Sequence, residues 1–138
     1  MMADITRFGI SIEKNLLEKF DRLIGKKGYT NRSEAIRDQI REALVRKSWL
    51  EGKEGVGTIT MVYNHHQREL TEKLTDIQHH YYRDVLSTQH VHLDHDNCLE
   101  VVIVKGRPSR IEELANRLRA CRGVKHCSLS ITSSGKGM

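Results

Sequence analysis

The first fifty residues hold one strand pattern and nothing for that strand to pair with. Arg7-Phe8-Gly9-Ile10-Ser11-Ile12 alternates, so Phe8, Ile10 and Ile12 share one face and Arg7, Gly9 and Ser11 the other. Leu16, Leu17, Phe20, Leu23 and Ile24 then recur at helical spacing until the stretch from Gly25 to Gly28, which breaks the helix. Asn31-Arg32-Ser33-Glu34 has the form of a capping box, with Asn31 as N-cap and Glu34 reaching back. It opens a second helix with the apolar stripe Ala35, Ile36, Ile40, Ala43 and Leu44. One strand and two helices in about fifty residues cannot bury a self-sufficient core. A strand without a partner also leaves a row of backbone donors and acceptors exposed. Pairing with the same strand of a second copy resolves both problems, so the sequence predicts an intertwined homodimer with a two-stranded antiparallel ribbon.

Composition shifts at Glu51-Gly52-Lys53-Glu54-Gly55-Val56-Gly57, where three glycines and three charges in seven residues predict a linker. The expected organisation is a first domain over 1–50, a linker over 51–57 and a second domain over 58–138. The second domain reads β-α-β-β-α-β, with strands at 56–63, 85–94, 99–105 and 124–131. Helices are expected over 67–81 and from Pro108, a favoured first helical residue, to the break at Gly123. The class is α+β, and the element order is that of the ferredoxin-like split βαβ fold. That fold serves many functions and by itself names none.

Charge is uneven. Residues 1–50 carry 11 Lys/Arg against 7 Asp/Glu, and residues 51–138 carry 12 against 11. Concentrated basic charge suits a phosphate-binding module, although many domains carry as much without touching nucleic acid. No run approaches the roughly 18 apolar residues of a membrane span, and the first six residues lack a signal-peptide core. The expected compartment is the cytoplasm. The three cysteines, Cys98, Cys121 and Cys127, are an odd number and argue against a disulfide framework.

Five of the eight histidines fall in His79-His80-Tyr81-Tyr82-Arg83-Asp84-Val85-Leu86-Ser87-Thr88-Gln89-His90-Val91-His92-Leu93-Asp94-His95-Asp96-Asn97-Cys98. Imidazole and thiolate suit borderline transition metals such as nickel, copper and zinc. A strand through His90-Val91-His92 puts both rings on one face. The turn formers from Asp94 to Asn97 let Cys98 fold back toward them. His65, His66, His80, His95 and His126 read first as surface or turn residues, with secondary metal sites open for His65 and His66. Cys121 and Cys127 read as small packing residues.

On the ribbon, Arg7, Gly9 and Ser11 form the outward face. A two-stranded ribbon fits the major groove of B-DNA, where Arg7 can bond guanine O6 and N7 and Ser11 a base edge or phosphate. An ordinary solvated strand face explains the pattern equally well. Asn31, Arg32 and Ser33, at the start of the second helix, can offer free amides to a phosphate, though a plain capped helix is commoner.

The segments RFGISI, LLEKFD and GYTNRSEAIRD together resemble the ribbon-helix-helix domain. With QHHYYRDVLSTQHVHLDHDNCLEVVIVKG added, residues 5 to 131 resemble the nickel-responsive transcriptional regulators of bacteria and archaea, whose metal domain is ACT-like. The resemblance implies one Ni2+ per chain in a planar site of three histidines and one cysteine. The matching residues are His90, His92, Cys98 and, from a different subunit, His79, the first histidine after Gln78. A planar site suits Ni(II) or Cu(II) and fits tetrahedral Zn(II) poorly. Glu100 is placed to anchor a bond to a ligand ring.

The resemblance further implies a homotetramer of two dimers, a double-stranded DNA operator with two half-sites, and repression of nickel-uptake genes when nickel is bound. It places Glu34 and Asp38 near the contact between the domains in the DNA-bound state. Gly9 departs from family members that carry a base-reading side chain there, so operator sequence does not transfer. Three rivals remain at this level: a metal-independent ribbon-helix-helix repressor or antitoxin, a zinc-dependent hydrolase using the His/His/Cys set, and a metal store. An enzyme is disfavoured because no nearby general base has a clear role and four protein ligands close the site.

Overall fold

A computed structural model of the chain describes residues 4–136. The chain divides into two compact units, Met1–Ile40 and Arg41–Met138.

In the first unit, α1 (Lys14–Lys26) is followed by the start of α2 (Arg32–Leu50). The helix runs through Gly25, because one helical glycine costs only about 1 kcal/mol. The break falls inside the expected stretch, at Gly28, whose φ of +86° favours a residue without Cβ. Asn31 caps α2 as expected: its Oδ1 accepts the Glu34 N–H at 2.9 Å. The Glu34 carboxylate takes a partner other than the expected Asn31 amide, accepting from Thr30 Oγ1 at 3.1 Å. Arg32 reaches back across the turn and grips both carboxylate oxygens of Asp21, at 2.9 and 2.8 Å.

The strand expected over 7–12 is not formed; residues 4–13 carry no regular secondary structure. A strand exists only through its ladder, and the described residues of this unit supply no second strand. Phe8 and Ile10 are consequently 72% and 64% exposed. An apolar groove of about 460 Å³ lies beside Ile10, Ile12, Phe20, Ile36 and Ile40.

The second unit follows the expected order: β1 (Gly55–Asn64), α3 (Arg68–His80), β2 (Val85–His92), β3 (Asn97–Gly106), α4 (Pro108–Arg119) and β4 (Val124–Thr132). The four strands form one antiparallel sheet in the order β2-β3-β1-β4. Strand β1 is buried at every second residue, which puts Ile59, Met61 and Tyr63 toward the helices. Cys98, Glu100, Val102 and Val104 do the same from β3. Leu70, Leu74 and Ile77 of α3, with Ile111, Leu114 and Leu118 of α4, close the core over that face. Pro108 stands at the first helical position of α4. That helix ends at Arg119, earlier than Gly123.

The linker expected over 51–57 needs correction at its C-terminal end, since Gly55 and Gly57 lie in β1. Their glycines serve close approach rather than flexibility. A Cβ on Gly55 would sit 2.6 Å from the Trp49 ring, and one on Gly57 2.6 Å from the Ser130 carbonyl oxygen. The Trp49 indole also donates to Glu112 Oε1 at 2.9 Å. The end of α2 is thereby fastened to the second unit, and the division between units falls inside α2.

Candidate metal centre

Strand β2 lies at the sheet edge and pairs with β3 so that His90 stands opposite Glu100, and His92 opposite Cys98. This register brings the two histidines beside the cysteine, as the turn formers at 94–97 led one to expect. Asp94 builds the reversal: its Oδ1 accepts the amides of Asp96 and Asn97 at 2.9 and 2.8 Å. The Asn97 side-chain bond is the largest of the contacts holding the Asp94 carboxyl below its usual range.

Cys98 is buried, 2% exposed, with its Sγ 4.0 Å from His90 Nδ1. Glu100, also 2% exposed, is the centre of a hydrogen-bond chain. Tyr63 OH donates to its Oε1, and Gln78 Nε2 donates to its Oε2, both at 2.5 Å. Gln78 Oε1 in turn accepts from Thr88 Oγ1 at 3.1 Å. His90 Nδ1 lies 3.3 Å from Glu100 Oε1 and 3.5 Å from the Tyr63 hydroxyl. Burial first, and then the bond to Glu100, push the Tyr63 phenol far above its ordinary value, so it stays a donor. A buried carboxylate accepting on both oxygens is a rigid anchor for the one imidazole it touches.

The donor set fits a late divalent metal: a thiol shielded from solvent, two imidazoles on one edge, and a carboxylate that orients one ring. His79 lies in the last turn of α3, one residue beyond Gln78, and is exposed. Among the described residues, His79, His90, His92 and Cys98 do not converge within one chain. Three donors drawn from His66, His95 and Asp96 do, all within 4.8 Å of one another.

Sequence reasoning placed Glu100 beside the ligand rings but missed Tyr63 and Gln78. The signal for Tyr63 was present, since it falls on the buried face of β1, where a phenol needs a polar partner. The proposed DNA-facing residues Arg7, Gly9, Ser11, Asn31, Arg32 and Ser33 are all exposed. Arg32 is committed to Asp21, and a Cβ on Gly9 would meet nothing within 4 Å.

Residues 6–47 match the model of the ribbon-helix-helix protein, copG family, and residues 56–132 match the NikR C terminal nickel binding domain. The chain is 56% identical over 135 residues to a protein of Syntrophus aciditrophicus, covering 98% of each chain. It is 55% identical to one of Solibacter usitatus, covering 99% of each, and 54% identical to one of Thermococcus kodakarensis, covering 96% of each. All three bear the name "Putative nickel-responsive regulator". Among solved structures, an uncharacterized protein of Thermotoga maritima superposes with a TM-score of 0.52 at 14% identity. The match covers 57% of this chain and 98% of that one, a likeness of fold alone.

Proposed function

The chain belongs to the nickel-responsive regulator family, and on that premise we propose that it is a DNA-binding transcription regulator that represses nickel-uptake genes when Ni2+ is bound. The observation that carries the reading is the β2–β3 register, which sets His90 and His92 against the buried pair Glu100 and Cys98. His90, His92 and Cys98 of one chain, with His79 of another, would hold one Ni2+ per chain. When bound, the ion would cross-link side chains that are otherwise held apart.

Exposure of His79 at the end of α3 suits a ligand shared between subunits. Gln78 bonds Glu100 and Thr88, so the α3 terminus bearing His79 is coupled to β2 and β3. Ligation across subunits would then bias a homotetramer toward the arrangement in which two ribbon dimers meet two half-sites. On the DNA side, the exposed face of Phe8 and Ile10 suits a ribbon paired with a second copy. That pairing would turn Arg7, Gly9 and Ser11 toward the groove.

The test is an anaerobic nickel titration followed by visible absorption, on the native protein and on Cys98→Ala. It is coupled to selection of operator duplexes from a random pool at fixed salt, with and without nickel. We expect one nickel per chain, a thiolate charge-transfer band that Cys98→Ala removes, and duplex enrichment only with nickel. A spectrum indifferent to Cys98, or equal enrichment without nickel, overturns the reading.

A further inference from the structure

We propose that Trp49 is a positioning residue for nickel-dependent DNA binding, seated on α4 so that the state of the metal domain reaches α2. The inference rests on the regulator reading above and adds the residue that carries the coupling. Residues from Arg41 onward belong to the second unit, so the last turns of α2 are part of it. Trp49 stands in the final turn of α2 and is half-buried against the core of that unit. Its indole N–H donates to Glu112 Oε1 at 2.9 Å. Its ring covers Gly55 so closely that a Cβ there would sit 2.6 Å from the ring and 3.5 Å from Pro108 Cγ. Pro108 and Glu112 both belong to the first five residues of α4. An indole offers a large, rigid contact with one directional donor, so a single ring fixes both the place and the angle of the helix end.

The same turn of α4 holds the segment that follows His79. Residues Tyr81 to Asp84 lead the chain from α3 into β2, and the Asp84 amide donates to the Tyr81 carbonyl at 2.8 Å. Asp84 is only 6% exposed. Arg110 donates to its Oδ2 from Nε at 3.0 Å and from a terminal nitrogen at 2.9 Å. The Asp84 carbonyl accepts the Lys105 amide at 2.8 Å, and the Asp84 carboxylate fills the space that a Cβ on Gly106 would need. Arg110 and Arg117 lie over the buried Tyr81 ring, 5.2 and 5.6 Å from its centre. A buried carboxylate held by charged donors is costly to detach. Arg110 sits between Pro108 and Glu112 in sequence, and residues two apart on a helix point to different sides. One turn of α4 is thus gripped from one side by the segment leading from His79 and from another by Trp49.

Only residues 51–54 join α2 to β1, and Gly52 among them has a φ of +69°. Such a connector alone would let the helix end swivel and absorb a shift of the second unit. The Trp49 contact closes that escape. Packing against the core asks only for the ring, whereas the bond to Glu112 sets its angle. From Leu50 the helix runs unbroken back to Arg32, beside the cap Asn31, where three of the candidate DNA residues stand. Ligation of His79 would bias the segment ending at Asp84, and the packed chain of Arg110, α4 and Trp49 is continuous from there to α2.

The experiment uses full-length protein and the duplex enriched in the presence of nickel. Duplex affinity is measured at fixed salt with and without nickel, and nickel binding by the thiolate band. The ratio of the two duplex affinities is the readout, because a merely structural defect lowers both and spares their ratio. Trp49→Ala should lower the ratio by about fivefold or more, with nickel stoichiometry and the thiolate band unchanged. Trp49→Phe keeps a ring and loses the donor, and Glu112→Ala loses the acceptor. Each should lower the ratio, and the double variant should lower it no further than either alone. Glu112→Gln keeps an acceptor oxygen and should keep the ratio. An unchanged ratio in Trp49→Ala overturns the proposal, as does a parallel loss of both affinities. Additive losses in the double variant overturn the role of the bond. Equal duplex affinities with and without nickel in the native protein defeat the regulator reading itself, and this inference with it.

Discussion

The two units of this chain solve the burial problem differently. Among the described residues, the first unit buries only Ile24 and Ala35 of its apolar side chains, whereas the second closes a core of sixteen residues from Ile59 to Cys127. The first unit spends its apolar side chains on an exposed face, with Ile5, Phe8 and Ile10 all more than 60% open. The second hides the helix-covered face of its sheet, leaves Leu86, Val91 and Leu93 exposed, and exposes histidines. The second unit's stability is internal, whereas the first leaves an apolar face that the proposed pairing with a second copy would cover.

The largest expected effect separates those halves. Leu114, fully buried, should cost about 2–5 kcal/mol when cut to alanine, read as a lower urea midpoint at any protein concentration. Phe8→Ala should leave the C-terminal transition in place and instead weaken self-association, read by sedimentation across a dilution series. A Phe8 variant that lowers the C-terminal midpoint as far as Leu114→Ala would erase the distinction.

A second test sharpens the comparison at the metal centre. Glu100 accepts on both oxygens, and glutamine has only one acceptor oxygen to offer. Glu100→Gln should lower nickel affinity by about 10- to 100-fold while the chain still folds, measured by competition with a chelator. Unchanged affinity would remove Glu100 from the centre.

Alkaline pH gives a smaller effect confined to the second unit. Burial pushes up the Tyr63 phenol and the Cys127 thiol. Both are therefore more easily ionised when unfolded. Their contribution is complete below the ordinary values of 9.0 and 10.0 and is lost as pH rises beyond them. The urea midpoint of the C-terminal transition should fall above about pH 9. Tyr63→Phe should make that fall shallower, and an identical slope would place the linkage elsewhere. The smallest effect belongs to the first unit: Asn31→Ala removes the α2 cap and should cost about 1 kcal/mol, read as lost helical circular dichroism on heating.

Periodicity made the second unit legible almost element by element, because alternation and helical spacing report which face is buried. Pro108 marked the start of α4 for a local reason, its fixed φ and missing N–H. The linker was harder. Glycine at 55 and 57 reads as flexibility in sequence, yet it is there because Trp49 and the Ser130 carbonyl approach too closely for a side chain. Nothing within seven residues of either sequence position announces Ser130.

The sequence alone determined the β-α-β-β-α-β order, the cap at Asn31, the gathering of His90, His92 and Cys98, and an alternating N-terminal segment that one chain leaves unpaired. These follow from local chemistry and from periods of two and 3.6 residues. Tertiary structure alone decided that Tyr63 and Gln78 meet on Glu100, and that His66, His95 and Asp96 converge. Their partners lie 37, 22 and about thirty positions apart, and only the register of β1, β2 and β3 brings such distant positions within bonding distance.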